Sequence, residues 1–202
     1  MRRTQYTSVA YALVALSFAL GVSMLLASCG KSQLRGGVLE PAAKAPEMVL
    51  TDQSGQPFAL SAQEGKVVLL FFGYTSCPDV CPTTLADMAQ VARKLGDTAT
   101  GVQVAFVSVD PNDTPQKLAQ YVKLFNPNFA GLTGSEIELQ RAMKSFQVKA
   151  ERRETPGSGV GYSIDHSAFT YVIDKQGRLR ELINYGTPAD DVVNDVQLLL
   201  NE

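Results

Sequence analysis

The sequence predicts an α/β fold with a mostly parallel sheet covered on both faces. Three observations predict it. Two apolar runs, at residues 67–73 and 102–109, lack the strict polar alternation of a half-exposed strand, which marks them as central strands. Each is followed by apolar residues at helical spacing, so strands and helices alternate. The chain then closes with a hairpin pattern and a terminal helix.

Taken in order, residues 48–51 and 57–61 flank Asp52-Gln-Ser-Gly-Gln56, a hairpin signal. The run 67–73 leads into a helix at 83–95, with Leu85, Met88, Ala89, Ala92 and Leu95 on one face and Gly96 as its stop. Pro82 suits the first helical position, where its missing N–H is not needed. The second strand ends at Asp110-Pro111. Residues 114–125 form a helix with Thr114 as N-cap, Pro115 at its start and Leu118, Tyr121, Val122 and Phe125 facing inward. After Gly131-Leu-Thr-Gly134 a further helix spans 135–146, capped by Ser135 with Glu138 three residues on. Residues 149–161, with charge, Pro156 and three glycines, read as a loop. Within them the basic cluster Lys149-Ala-Glu-Arg-Arg153 is either a solvated loop or a docking patch. Strands at 166–173 and 179–184 pair across Asp174-Lys-Gln-Gly177. A helix over 188–200 turns Val192, Val193, Val196, Leu199 and Leu200 inward. This order describes a thioredoxin-like fold with an N-terminal β-hairpin and an extra helix. Its ligand sites lie outside the C-terminal ends of the parallel strands.

The N-terminus carries an address. Arg2 and Arg3 precede an uncharged stretch rich in Ala, Leu and Val, as in a secretory signal. It ends in Leu26-Ala27-Ser28-Cys29, which resembles the bacterial lipobox, whose cysteine is lipidated and becomes the first residue after cleavage. The alternative is an uncleaved membrane anchor. Both place the globular part outside the cytoplasm, on the periplasmic or extracytoplasmic side, and three acyl chains on Cys29 anchor it stably. The chain divides into a signal peptide (1–28), a lipid-anchored flexible tether (29–46) and one domain (47–202). The tether reaches on the order of 20–25 Å. Without the leader, 16 basic residues face 20 acidic ones. No basic face of the kind nucleic acid requires is present in the sequence.

With Cys29 assigned to lipid, Cys77 and Cys81 remain, in an oxidising compartment. They stand in Cys77-Pro-Asp-Val-Cys81-Pro82, at a strand-to-helix junction. A helix N-terminus offers unpaired N–H groups and positive potential to a thiolate. A purely structural disulfide would close a very short loop and gain least from chain entropy. Three residues separate the cysteines, where redox thioredoxins have two. Two sulfurs from adjacent turns close a disulfide or grip a soft ion, Cu(I) or Zn(II), and a neutral nitrogen extends the set to Cu(II). The only histidine is His166, in Ser163-Ile-Asp-His-Ser167, entering the strand that this plan sets beside the cysteine loop. Asp165 either forms a local turn or orients the imidazole; ligation by Asp165 or Asp79 is the weaker alternative.

Gly73-Tyr-Thr-Ser-Cys77-Pro-Asp-Val-Cys81-Pro, Asp165-His166-Ser167 and Gly131-Leu-Thr-Gly134 together resemble the Sco/SenC family of copper proteins, over residues 45–202. The resemblance implies a membrane-tethered copper chaperone holding one Cu(I) or Cu(II) through Cys77, Cys81 and His166. It implies delivery of copper to the dinuclear site of cytochrome c oxidase subunit II. The alternative is a thiol-disulfide oxidoreductase that reduces the cysteines of that site, with Cys77 and Cys81 redox-active. Further partners on this reading are another periplasmic copper chaperone or a thioredoxin-like reductant. The family often shows Asp-Pro-x-Arg-Asp-Thr after the second strand. Here Asp110-Pro-Asn-Asp-Thr-Pro115 is one residue shorter and lacks the arginine, so this loop receives no site role. A peroxidase is disfavoured, since Leu70 and Thr75 stand where its pattern before the cysteine would need other residues.

Overall fold

The computed structural model describes residues 33–157 and 161–202. The expected signal peptide and the lipidation site at Cys29 lie outside the described residues. Among those described, no helix is long and apolar enough to cross a membrane.

The core is built on strand β4 (Val67–Gly73), all seven of whose residues are buried. Successive side chains of a strand point to opposite faces, so a strand buried throughout needs cover on both. Full burial of Leu69, Leu70, Phe71 and Phe72 contributes about 1.5–3 kcal/mol each. Strand β5 (Val102–Ser108) pairs parallel with β4, and β6 (Ala130–Thr133) parallel with β5. On the other side of β4, β9 (Thr170–Ile173) runs antiparallel, followed by β10 (Arg178–Ile183) and β1 (Gly37–Lys44). The hairpin β2 (Val49–Asp52) and β3 (Pro57–Ala59) completes the far edge through β6. The eight-stranded order is β1-β10-β9-β4-β5-β6-β2-β3.

Four helices accompany the sheet: α1 (Val80–Leu95), α2 (Pro115–Lys123), α3 (Glu136–Ser145) and α4 (Ala189–Leu200). The starts of α2 and α3 follow the chain's capping chemistry. Thr114 Oγ1 accepts from Lys117 N at 3.3 Å, with Pro115 at the first position. Ser135 and Glu138 form a reciprocal capping box. Helix α2 lies close enough to β6 that a Cβ on Gly131 would sit 3.0 Å from both Leu118 and Val122. The thioredoxin-like plan, with its added hairpin and helix, is therefore the observed one.

Several local expectations change. Residues 37–44, expected within the flexible tether, are edge strand β1. The edge is held by backbone pairing to β10, with the register broken between Val38 and Ala43, on either side of Pro41. An exposed edge strand needs no apolar alternation, so its composition resembles a linker. Strand β6 was not expected; at four residues it is too short for periodicity to show. The loop expected at 149–161 contains β7 (Ala150–Glu154), exposed throughout and paired with β8 (Tyr162–His166) in a separate two-stranded ribbon. The strand expected over 166–173 is two strands, and His166 ends β8 rather than opening β9. Helix α1 begins three residues early, so Pro82 takes its third position. That position still lacks an intrahelical acceptor; Thr83 N is the first to bond back, to Asp79 O at 3.2 Å.

Candidate metal centre

Three elements converge at the C-terminal end of β4. The strand stops at Gly73, where a Cβ would lie 2.7 Å from Cys81 Sγ and 2.7 Å from the Phe106 ring. Only glycine leaves room for the sulfur there. The turn 74–79 follows, and Cys81 occupies the second position of α1, fully buried. The side chain of the N-cap residue, Asp79, makes no capping bond. The Cys77 sulfur accepts instead, from Cys81 N at 3.4 Å, at the helix end where N–H groups are unpaired. Both cysteines are free thiols, Cys81 buried and Cys77 half-buried.

His166 arrives from the end of β8. Its Nε2 lies 3.3 Å from Cys81 Sγ, and its Nδ1 lies 3.0 Å from the Ser167 carbonyl oxygen. A carbonyl can only accept, so Nδ1 carries a proton and Nε2 is the ring nitrogen turned toward the sulfurs. The rings of Phe71 and Tyr74 each stand edge-on to the imidazole at 6.0 Å. The two sulfurs and the ring nitrogen all lie within 4.8 Å of one another. Metal–sulfur bonds of about 2.3 Å and metal–nitrogen bonds of about 2.0 Å place the ligand atoms of a trigonal ion about 3.7–4.0 Å apart. The set accepts a soft three-coordinate ion once the ligand atoms close in by at most about 1 Å.

The two thiols differ in kind. A hydrogen bond from Cys81 lowers the Cys77 pKa to about 4; His166 and the N–H groups of Asp79 and Cys81 add to this, against the opposing effect of burial. Cys81 is pushed far up, first by its hydrogen bond to Cys77, then by burial and by the neighbouring thiolate. Cys77 is thus the thiolate of the pair at neutral pH, and Cys81 its proton donor. A cleft of about 450 Å³ opens over them, lined by Tyr74, Cys77, Pro78, Val80, Ile164 and His166 among others.

The structure brings together Cys77, Cys81 and His166, and no other acid or histidine of the described residues joins the cluster. Asp79 and Asp165 line the cleft wall only. Asp165 pairs with Arg153 at 2.9 Å, and the Ser167 carbonyl holds the imidazole in its place. The basic cluster is ribbon rather than loop, with Arg152 stacked 3.7 Å over the Tyr162 ring. The loop given no role turns out to touch the cysteine turn. Asp113, 1 % exposed, accepts from Thr75 N at 2.8 Å and Thr75 Oγ1 at 2.5 Å. The available signal was a pair of acids directly after a buried strand.

The family model described as SCO1/SenC matches residues 38–201. A "putative copper-binding protein" of Stutzerimonas stutzeri is 37% identical over 161 residues, 78% of each chain. The structure of Bradyrhizobium japonicum ScoI with copper bound is 36% identical with a TM-score of 0.72, covering 78% of this chain and 100% of that one. That of BsSco, described by a disulfide switch and as a member of the Sco family of cytochrome c oxidase assembly proteins, is 27% identical with a TM-score of 0.62, covering 80% and 95%. The chain spans 63% to 64% of the length of three SCO2-like proteins from Rickettsia species.

Proposed function

Because this chain belongs to the SCO1/SenC family, we propose that it binds one copper ion through Cys77, Cys81 and His166 and delivers it to the dinuclear copper site of cytochrome c oxidase subunit II. The observation that carries the reading is the convergence of two free thiols and one imidazole nitrogen within 4.8 Å, beside an open cleft. Thiolates favour Cu(I), and the imidazole extends the set to Cu(II). The copper-bound Bradyrhizobium structure supports the choice of copper over zinc. Release is ligand exchange: acceptor thiols replace the protein's ligands one at a time, so the metal must be reachable and not caged. The oxidase as acceptor rests on the family and on the motifs Cys77-Pro-Asp-Val-Cys81 and Asp165-His166-Ser167. On this reading the domain works outside the cytoplasm, lipid-anchored at Cys29.

The unequal thiols favour one second reading, reduction of the acceptor's disulfide. The Cys77 thiolate attacks one sulfur of that disulfide and expels the other as a thiolate. Cys81 then gives up its proton and attacks the mixed disulfide at Cys77. The products are a Cys77–Cys81 disulfide, one acceptor thiol and one acceptor thiolate that takes its proton from water, with two electrons passed to the acceptor.

The test is copper titration of the reduced protein under anaerobic conditions. We expect one Cu(I) per chain, lost on Cys77→Ala or Cys81→Ala. His166→Ala should keep Cu(I) and weaken Cu(II) with a changed visible spectrum. An unchanged Cu(II) spectrum in His166→Ala would remove the third ligand from the reading. Dithiol exchange that survives in His166→Ala would separate the reductase activity from copper binding.

A further inference from the structure

The two halves of the metal centre reach it by separate routes. Cys77 and Cys81 follow β4 in the main sheet, whereas His166 ends a strand paired only with β7 in the outlying ribbon. Among the described residues no ladder of main-chain hydrogen bonds joins β8 to the sheet, so side-chain bonds set the distance from Nε2 to the sulfurs; one of them is direct, Ile164 N donating to the Tyr74 hydroxyl at 3.3 Å.

A second connection runs through the turn after β5. Asp110 and Asp113 are each 1 % exposed. Toward the cysteines, Asp113 takes both Thr75 donors, at 2.8 and 2.5 Å, and the Ser108 hydroxyl at 2.7 Å. Val109 N donates to the Gly73 carbonyl at 2.7 Å, tying the same turn to the end of β4. Toward the histidine, the Tyr162 hydroxyl donates to Asp110 Oδ2 at 2.5 Å. Tyr162 is the first residue of β8 and His166 the last. The two residues are joined through their backbones, by Asp113 N donating to the Asp110 carbonyl at 3.0 Å and by Ser108, whose hydroxyl accepts from Asp110 N at 3.1 Å. Buried carboxylates whose oxygens are taken by fixed donors are stiff, because breaking any bond strands a charge away from water.

We propose that the Asp110–Asp113 turn is the spacer of the metal centre: Asp113 positions the cysteine turn through Thr75, and Tyr162 positions the histidine strand through Asp110. The inference rests on the copper reading for what the spacing serves. It assigns a role to the loop that departs from the family's usual pattern.

Two variants of the full chain test it. Tyr162→Phe removes one hydroxyl and keeps the ring under Arg152. It should leave Cu(I) affinity within about threefold and weaken Cu(II), the state that needs the imidazole, by about 10–100-fold, the usual effect of losing a partner that orients a ligand. The visible Cu(II) band should shift with it. Asp113→Asn should weaken both oxidation states, because Thr75 leads directly into Cys77. In the metal-free protein, proton NMR contacts between the His166 ring and the rings of Phe71 and Tyr74 should fade in Tyr162→Phe. Wild-type Cu(II) affinity and spectrum in both variants, or unchanged ring contacts in Tyr162→Phe, would overturn the proposal, even alongside a lower melting temperature. A wild-type chain that took no copper would sink the function proposed above and leave the ring contacts to decide this one.

Discussion

Glu181 is a buried carboxyl, and its replacement makes a quantitative prediction. It lies in β10, fully buried, and neither carboxyl oxygen has a hydrogen-bond donor among the described residues. Asp195 of α4 faces it, 2 % exposed, with its own Oδ2 taken by Arg35 N at 2.9 Å and Gly36 N at 3.2 Å. A Cβ on Gly36 would lie 3.0–3.1 Å from the Glu181 carboxyl atoms, so the backbone seals the group in. Burial first, then the charge of Asp195, raise the Glu181 pKa from 4.5 to about 7. Between those two pH values the native state holds a proton that the unfolded chain has lost. Stability is therefore full below about pH 4.5 and falls as pH rises to 7, by up to about 3 kcal/mol at 1.36 kcal/mol per unit. Glu181→Gln removes the titration at nearly unchanged shape. Relative to wild type it should be near neutral at pH 4.5 and more stable at pH 8 by up to about 3 kcal/mol, roughly 6–12 °C in melting temperature. Thermal melts of both proteins at half-unit steps from pH 4.5 to 8 measure the difference. A difference that stayed constant across that range would refute the buried, protonated Glu181.

The site makes two further predictions. Because Cys77 titrates near 4 rather than near 9, its alkylation by iodoacetamide should be nearly pH-independent from about pH 5 upward, while Cys81 stays unmodified in the folded protein; peptide mapping of a pH series would show it, and a rate that climbed through pH 8–9 would contradict it. Gly73→Ala puts a methyl 2.7 Å from Cys81 Sγ and from Phe106, so it should cost about 1–3 kcal/mol as overpacking and lower copper stoichiometry. A normal melt with normal copper loading would show that the sulfur has more room than the geometry allows.

What could be read from the chain depended on whether a residue's role has a local signature. Residues 67–73 declare a doubly covered strand because every position is apolar, and Thr114-Pro115 and Ser135–Glu138 declare helix starts because capping is local chemistry. Cys77, Cys81 and His166 were legible because such side chains are scarce and the plan of the fold says where they meet. Strands β1 and β7 were not, since each is held by backbone pairing at an edge and both are largely exposed. Asp113 was not legible either: a carboxylate buried among uncharged donors looks, in sequence, like any loop aspartate. Glu181 lay between the two cases. Its alternation with Ile183 puts it on an inward face, yet nothing local says that Asp195 waits opposite.

The two sulfurs divide the labour of this site through burial. Cys81 is sealed beneath Gly73, against Nε2 of His166, and holds its proton tightly. Cys77 stands at the cleft wall, ionised, with the helix end behind it. On the proposed function an incoming acceptor, thiol or disulfide, meets Cys77 first. In the proposed copper transfer the ion would stay on Cys81 and His166 while the acceptor gains its first bond, so the metal need never be free. In thiol exchange the same order makes Cys77 the attacking sulfur and Cys81 the one that resolves the mixed disulfide. Both chemistries need one exposed thiolate and one protected thiol within reach of it. The three-residue spacing supplies this by setting Cys77 in the turn and Cys81 inside the helix. His166 is what separates the two uses: thiol exchange balances without it, and a Cu(II) site does not.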